Sequence, residues 1–123
     1  MTNPINTEIH SWGKIEILTK FDVSPQGNVC VRTITVYPKC SLSYQSHKLR
    51  GEHWKFVQGR GTVILDGEEN TVVSGSGINI PVGTKHRVIN DNETQDLVFV
   101  EISSGQFDEN DIERFEDDYG RAK

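Results

Sequence analysis

The sequence predicts an all-β domain, a sandwich or barrel, from three observations. Short segments rich in β-branched and aromatic residues recur at close spacing, glycine, asparagine and aspartate separate them, and no long amphipathic helical period appears. The segments are residues 16–21, 28–37, 53–57, 62–65, 70–73, 78–81, 86–89 and 96–102. A chain of 123 residues is long enough to bury a core without covalent staples. One domain is therefore expected over residues 1–123, with its core from about 12 to 105 and a tail from 106 to 123.

In chain order, the first two segments hold Ile17, Val29, Val31, Ile34 and Val36, side chains that suit a pleated, half-buried surface. Gly59 and Gly61 follow the third and mark a turn. Between 62–65 and 70–73 stands the pair Asp66 and Gly67, which supplies the positive φ angles of a tight hairpin, so these two strands should pair antiparallel. Gly75 and Gly77 mark the next turn. The tail is acidic from Asp108 onwards and is expected to form one short helix, capped by Asp108 or Asp111 and ended by Gly120.

The net charge of -5, from 13 Lys and Arg against 18 Asp and Glu, gives no attraction to nucleic acid or an anionic membrane. A small molecule is the expected partner. Apolar runs are short and broken by charge, and residues 1–8 lack the basic start and apolar centre of a signal peptide, so a cytoplasmic location is expected. Cys30 and Cys40 form no motif and are expected to be free thiols.

Among four histidines, His86 lies five residues after Pro81 and raises the question of metal ligation. Gln45 and His47 are two apart and leave the same face of a strand. Glu52 begins the next β-like segment after a short connection, and a hairpin there is expected to bring Gln45, His47 and Glu52 together, with His86 closing the set from a later strand. Two imidazoles, a carboxylate and an amide oxygen suit a divalent Zn, Fe, Mn, Co or Ni ion and leave coordination positions open for water or substrate. Plainer roles exist for several of these residues. The Gln45 amide can equally hydrogen-bond backbone, His53 beside Glu52 should face the other side of its strand, and Trp12 and Trp54 can serve as core.

These residues carry a resemblance to the cupin superfamily. The second cupin motif, Gly-x5-Pro-x-Gly-x2-His-x3-Asn, is matched throughout by Gly75, Pro81, Gly83, His86 and Asn90. The first, Gly-x5-His-x-His-x4-Glu-x6-Gly, is matched by His47, Glu52 and Gly59, with Gln45 replacing its first histidine and Lys39 its first glycine. A narrower likeness, from about Trp12 to Arg121, is to the cupin domain of type II mannose-6-phosphate isomerases, carried by residues 11–18, 42–47, 50–54, 65–68, 80–87 and 114–121. In that family a glutamine at the place of Gln45 is usual, and the domain commonly follows a guanylyltransferase domain, for which this sequence has no counterpart.

The resemblance implies a single-domain cupin, a double-stranded β-helix or jelly-roll barrel with a short C-terminal helical tail. It implies a divalent ion on Gln45, His47, Glu52 and His86, and a sugar phosphate as substrate, interconverted between mannose 6-phosphate and fructose 6-phosphate. Such an isomerase moves a proton between two carbons and needs a positioned base, for which His53, Lys48, Lys85, Glu101 and Tyr119 are candidates, with His53, Lys85 and Tyr119 assigned the catalytic role. Arg50, Arg87 and Arg121 are assigned to the sugar phosphate. The chain departs from the family at Ser41, where an arginine is usual, and at Lys48 and Leu49, where histidines are usual. Those departures keep open another sugar-modifying cupin, such as an epimerase, or a non-catalytic sugar-binding or regulatory cupin. By the same analogy a homodimer is expected.

Overall fold

The computed structural model describes residues 4–25, 27–106, 108 and 110–116, and these form strands without a helix. In chain order the strands are β1 (Asn6–His10), β2 (Gly13–Ser24), β3 (Gly27–Val36), β4 (Cys40–Ser41), β5 (Tyr44–Ser46) and β6 (Arg50–Gln58). They continue as β7 (Arg60–Leu65), β8 (Glu68–Val73), β9 (Gly77–Ile80), β10 (His86–Asn90), β11 (Leu97–Gly105) and β12 (Glu113–Glu116). One sheet has the order β1-β2-β3-β11-β6-β9; the other runs β12-β5-β10-β7-β8, with β4 also pairing β10. The recorded pairings are antiparallel, so each strand presents alternate residues to the space between the sheets.

That alternation divides the interior into two ends. Towards one end the inward residues are apolar: Phe56 on β6, Phe99 and Leu97 on β11, Ile34 and Val36 on β3, Val63 on β7, Val72 on β8 and Val88 on β10. The rings of Trp54, Phe56 and Phe99 interlock with centroids 4.8 and 4.9 Å apart from Phe99. Two or four residues along the same strands, the inward side chains become polar: Glu52 on β6, Glu101 and Ser103 on β11, Arg32 on β3 and His86 on β10, all buried. Here the candidate site lies.

The Asp66 and Gly67 hairpin forms between β7 and β8, both residues at positive φ (46° and 85°), as a two-residue turn of that hand requires. Cys30 and Cys40 are free thiols. Strand pairing begins at Asn6 against Ile17, ahead of residue 12.

Two expectations are corrected. β5 and β6 do not form a hairpin, because β5 pairs with β10 and β12 in one sheet while β6 pairs with β11 and β9 in the other. Residues 47–49 carry the chain across the sandwich, and Glu52 faces His47 from the opposite sheet. The acidic tail forms a strand where a helix was expected: β12 pairs with β5, Arg114 opposite Gln45. Asp108 does make a local cap, to the Asn110 amide at 2.9 Å, but the Asp111 carboxylate is spent on the amides of Lys48 and Leu49 (2.9 and 2.8 Å). Those tertiary bonds hold the chain extended; the predicted helix end at Gly120 lies outside the described residues. Among the described residues no helix is long and apolar enough to cross a membrane.

Gly59, at φ +88°, joins β6 to β7, and a Cβ there would stand 2.6 Å from the Asp96 carbonyl oxygen. Gly59→Ala is expected to destabilise the domain by about 1–3 kcal/mol, read as a lower urea midpoint at unchanged slope.

Candidate metal centre and its cavity

His47, Glu52 and His86 bring three potential ligand atoms within 4.8 Å of one another, and all three residues are buried. His47 Nε2 lies 3.5 Å from Glu52 Oε2 and His86 Nε2 lies 3.8 Å from Glu52 Oε1. Each imidazole is oriented from behind by a backbone carbonyl: His47 Nδ1 is 2.6 Å from the Asp111 oxygen and His86 Nδ1 is 2.9 Å from the Thr84 oxygen. A carbonyl only accepts, so both Nδ1 atoms carry the proton and both Nε2 atoms turn a lone pair towards Glu52. This is how metal-binding histidines are usually held.

The donor set fits a divalent ion. His86 Nε2 is buried without a hydrogen-bond partner, a costly state for an acceptor that an ion would relieve. Burial, reinforced by the charge of Arg50, lowers the His47 pKa from 6.5 to about 4 and keeps that imidazole neutral near pH 7. Glu52 accepts Trp54 Nε1 at 3.1 Å and Arg50 Nε at 2.9 Å, so its carboxylate is fixed. Gln45 stands opposite His86 in the β5–β10 ladder and lines a cavity together with His47, with its Oε1 accepting Ser43 Oγ at 2.7 Å. Two nitrogens and a carboxylate, with Gln45 alongside, make a mixed set suited to catalytic rather than closed structural ions.

A cavity of about 230 Å³ lies between the sheets, its wall including His47, Gln45, Arg50, Trp54, Arg32, Glu101 and Arg114. Arg32 donates to Glu101 Oε1 through Nε at 2.9 Å and Nη2 at 2.6 Å. Burial, with the Glu52 charge added, pushes Glu101 above the usual carboxylate range against the opposing pull of Arg32 and Arg50. Ile15, Ile34, Leu42 and Ile112 supply apolar wall between these groups, and Glu8, His10 and Trp12 complete it on the β1 side.

Strand alternation sorts the remaining expected residues. His53 follows Glu52, and Lys85 and Arg87 flank His86, so each leaves the face opposite a ligand. His53 is exposed and bonded to Asn79 Oδ1 at 3.0 Å. Lys85 is exposed with its ammonium 4.3 Å from the Phe115 ring centre. Arg87 donates to the Leu42 carbonyl at 2.9 Å and to Ser41 Oγ at 3.1 Å, tying β10 to the β4 segment. Lys48 is exposed on the loop after β5. The structure brings none of these four to the cavity wall; it does bring Glu101 and Arg50 there. Tyr119 and Arg121 lie outside the described residues. Arg32 and Arg114 were not singled out from the sequence. Arg32 had a signal: it interrupts the run Cys30, Ile34, Val36 on the inward side of β3.

The two packed sheets with an inward His, Glu and His set are the arrangement of a cupin. A Cupin 2 conserved barrel domain protein from Salinispora arenicola superposes with a TM-score of 0.64 at 18% identity, over 80% of each chain. The chain belongs to the family described as mannose-6-phosphate isomerase C-terminal, whose model matches residues 4–117. Alginate biosynthesis protein AlgA of Pseudomonas putida is 38% identical over 112 residues, covering 90% of this chain and 22% of that protein. Mannose-1-phosphate guanylyltransferase ManC of Salmonella typhimurium is 36% identical with the same coverage. The chain thus spans 22% of the length of these two relatives.

Two measurements check the centre. His86→Ala should lose the bound divalent ion that the unaltered protein retains after dialysis, by elemental analysis; equal content in both would remove His86 from the ligands. In chelator-treated protein, the unfolded chain binds a proton at His47 below pH 6.5 that the folded chain refuses until about pH 4. Stability conferred by the neutral ring is therefore complete above pH 6.5 and lost as pH falls through that window, on the order of 3 kcal/mol in all. Urea unfolding at pH 7, 5.5 and 4 should show this slope, reduced in His47→Gln.

Proposed function

We propose that this domain is a metal-dependent sugar-phosphate isomerase that interconverts mannose 6-phosphate and fructose 6-phosphate. The observation that carries the reading is the placement of a buried carboxyl group, Glu101, on the wall of the cavity that His47, one member of the His47, Glu52 and His86 cluster, also lines. An aldose-ketose isomerisation needs a group that takes a proton from one carbon and returns it to the next, with negative charge growing on oxygen meanwhile. A divalent ion on His47, Glu52 and His86 supplies Lewis-acid stabilisation of that oxygen charge.

The chain's own residues do the rest. Glu101, whose burial raises its pKa from the ordinary carboxylate value, is the carboxyl group on the cavity wall suited to act as the base. Arg32 grips its Oε1 with two donors and so fixes the direction of the carboxyl group in the cavity. Arg114 enters from β12 in the opposite sheet and offers a guanidinium to the phosphate. The apolar wall of Ile15, Ile34, Leu42 and Ile112 limits water around the reacting carbons. Membership of the family supports the sugar-phosphate substrate.

The test is a coupled assay for fructose 6-phosphate formed from mannose 6-phosphate with Zn, Mn or Co supplied in turn. Turnover is expected with at least one of them, and its absence with all three sinks the isomerase. Glu101→Gln keeps an acceptor for Arg32 and should lower kcat by about a hundredfold or more while leaving metal content unchanged. An unaffected kcat would move the base elsewhere.

A further inference from the structure

The β1 side of the cavity is chemically unlike the rest of its wall. Glu8 and His10 stand two apart on β1, so both side chains leave the same face, and with Trp12 they line the cavity. The His10 imidazole lies flat on the Trp12 indole, with ring centres 4.9 Å apart and planes within 6°, and Trp12 is itself buried. That stack fixes the plane of the imidazole. Its rotation within the plane is set by Glu8, whose Oε1 lies 3.3 Å from His10 Nε2. A carboxylate only accepts, so in the neutral ring Nε2 carries the proton and Nδ1 keeps the lone pair.

Two acceptors are left over. His10 Nδ1 and Glu8 Oε2 have no hydrogen-bond partner among the described residues, whereas Arg32 and Arg50, the donors further along the wall, are engaged with Glu101 and Glu52. Unclaimed acceptors attract hydrogen-bond donors and repel anions. Arg32, Arg50 and Arg114 on the same wall disfavour a cationic ligand, which leaves an uncharged hydroxyl as the group that suits this corner. In the sheet, β2 and β3 separate β1 from β11. Three strand spacings put roughly 14 Å between the axes of the strands carrying His10 and Glu101. His10 therefore meets a part of the ligand remote from the carbons that Glu101 serves.

We propose that His10, oriented by Glu8 and Trp12, is a specificity-determining residue: its Nδ1 accepts a hydrogen bond from a sugar hydroxyl beyond the reacting carbons, on C3 or C4 of a hexose phosphate. Because the ring is held before the ligand arrives, little ordering is needed to make that bond. A sugar deoxygenated at that carbon leaves the acceptor unpaired and binds more weakly. The inference rests on the sugar-phosphate reading of the cavity and names the part of the substrate that β1 selects.

The experiment uses mannitol 6-phosphate, which carries the hydroxyls but no carbonyl to isomerise, together with its 3-deoxy and 4-deoxy analogues. Affinities are measured by titration calorimetry on the full chain supplied with Co²⁺, in the unaltered protein, His10→Phe and Glu8→Gln. The unaltered protein should bind mannitol 6-phosphate about tenfold or more tightly than at least one of the deoxy analogues. His10→Phe keeps a ring on Trp12 without the acceptor and should bind all three sugars alike, at the weaker level. Glu8→Gln, whose amide can donate to Nε2 as well as accept from it, no longer sets the tautomer and should show a reduced preference; it carries the test if the phenylalanine variant does not fold. Equal binding of the three sugars by the unaltered protein overturns the proposal, as does an undiminished preference in either variant. Discrimination without turnover in the coupled assay sinks the isomerase and leaves the role of His10, whereas turnover without discrimination removes His10 alone. Binding of none of the three also overturns the proposal, and the coupled assay then decides the isomerase separately.

Discussion

Glu52 brings a carboxylate into the interior of a β-sandwich, and the arrangement of its neighbours follows from that charge. A buried carboxylate is tolerated only when donors or cations reach it from fixed positions. Here Arg50 lies two residues before it and Trp54 two residues after it on β6, and period-two geometry points all three side chains the same way. The histidines arrive from the other sheet and the loop leading to β6, each turned by a carbonyl behind it. The local rule of one strand thus supplies the donors, and the packing of two sheets supplies the ligands.

The division of the interior explains why a small domain keeps so many buried polar groups. Phe56, Phe99, Val63, Val72, Val88 and Leu97 give one end a close-packed apolar core, and that end holds the sheets together. The other end is free to hold Glu101 against Arg32 and Glu52 against Arg50. Such pairs contribute little to stability by themselves. Their value is position, because Arg32 and Glu101, and Arg50 and Glu52, are each held by a partner on a rigid strand.

Much of this was legible in the sequence for reasons of local physics. The Asp66 and Gly67 turn was legible because few residue pairs tolerate two consecutive positive φ angles. The grouping of His47, Glu52 and His86 was legible because their spacing and flanking glycines match a motif over both halves of the chain. What was not legible depends on partners distant in sequence. No local pattern says that β5 and β6 belong to different sheets, or that residues 113–116 pair with β5 instead of coiling. His53, Lys85 and Arg87 each lie one residue from Glu52 or His86, so alternation turns them to the opposite face. That Glu101 lies on the cavity wall follows from the pairing of β11 with β3 and β6, which no local pattern gives.

The bond from His47 to the carbonyl of Asp111 spans 64 residues, and it has a consequence for the order in which the protein is made. A nascent chain acquires His47, Glu52 and His86 well before residue 111 leaves the ribosome. Until then no carbonyl selects the tautomer of His47, and the amides of Lys48 and Leu49 lack the carboxylate that steadies their loop. The three side chains are thus translated early, but the carbonyl that orients His47 and the carboxylate that steadies residues 48 and 49 arrive late, so the geometry of the cluster is complete only once residue 111 has docked.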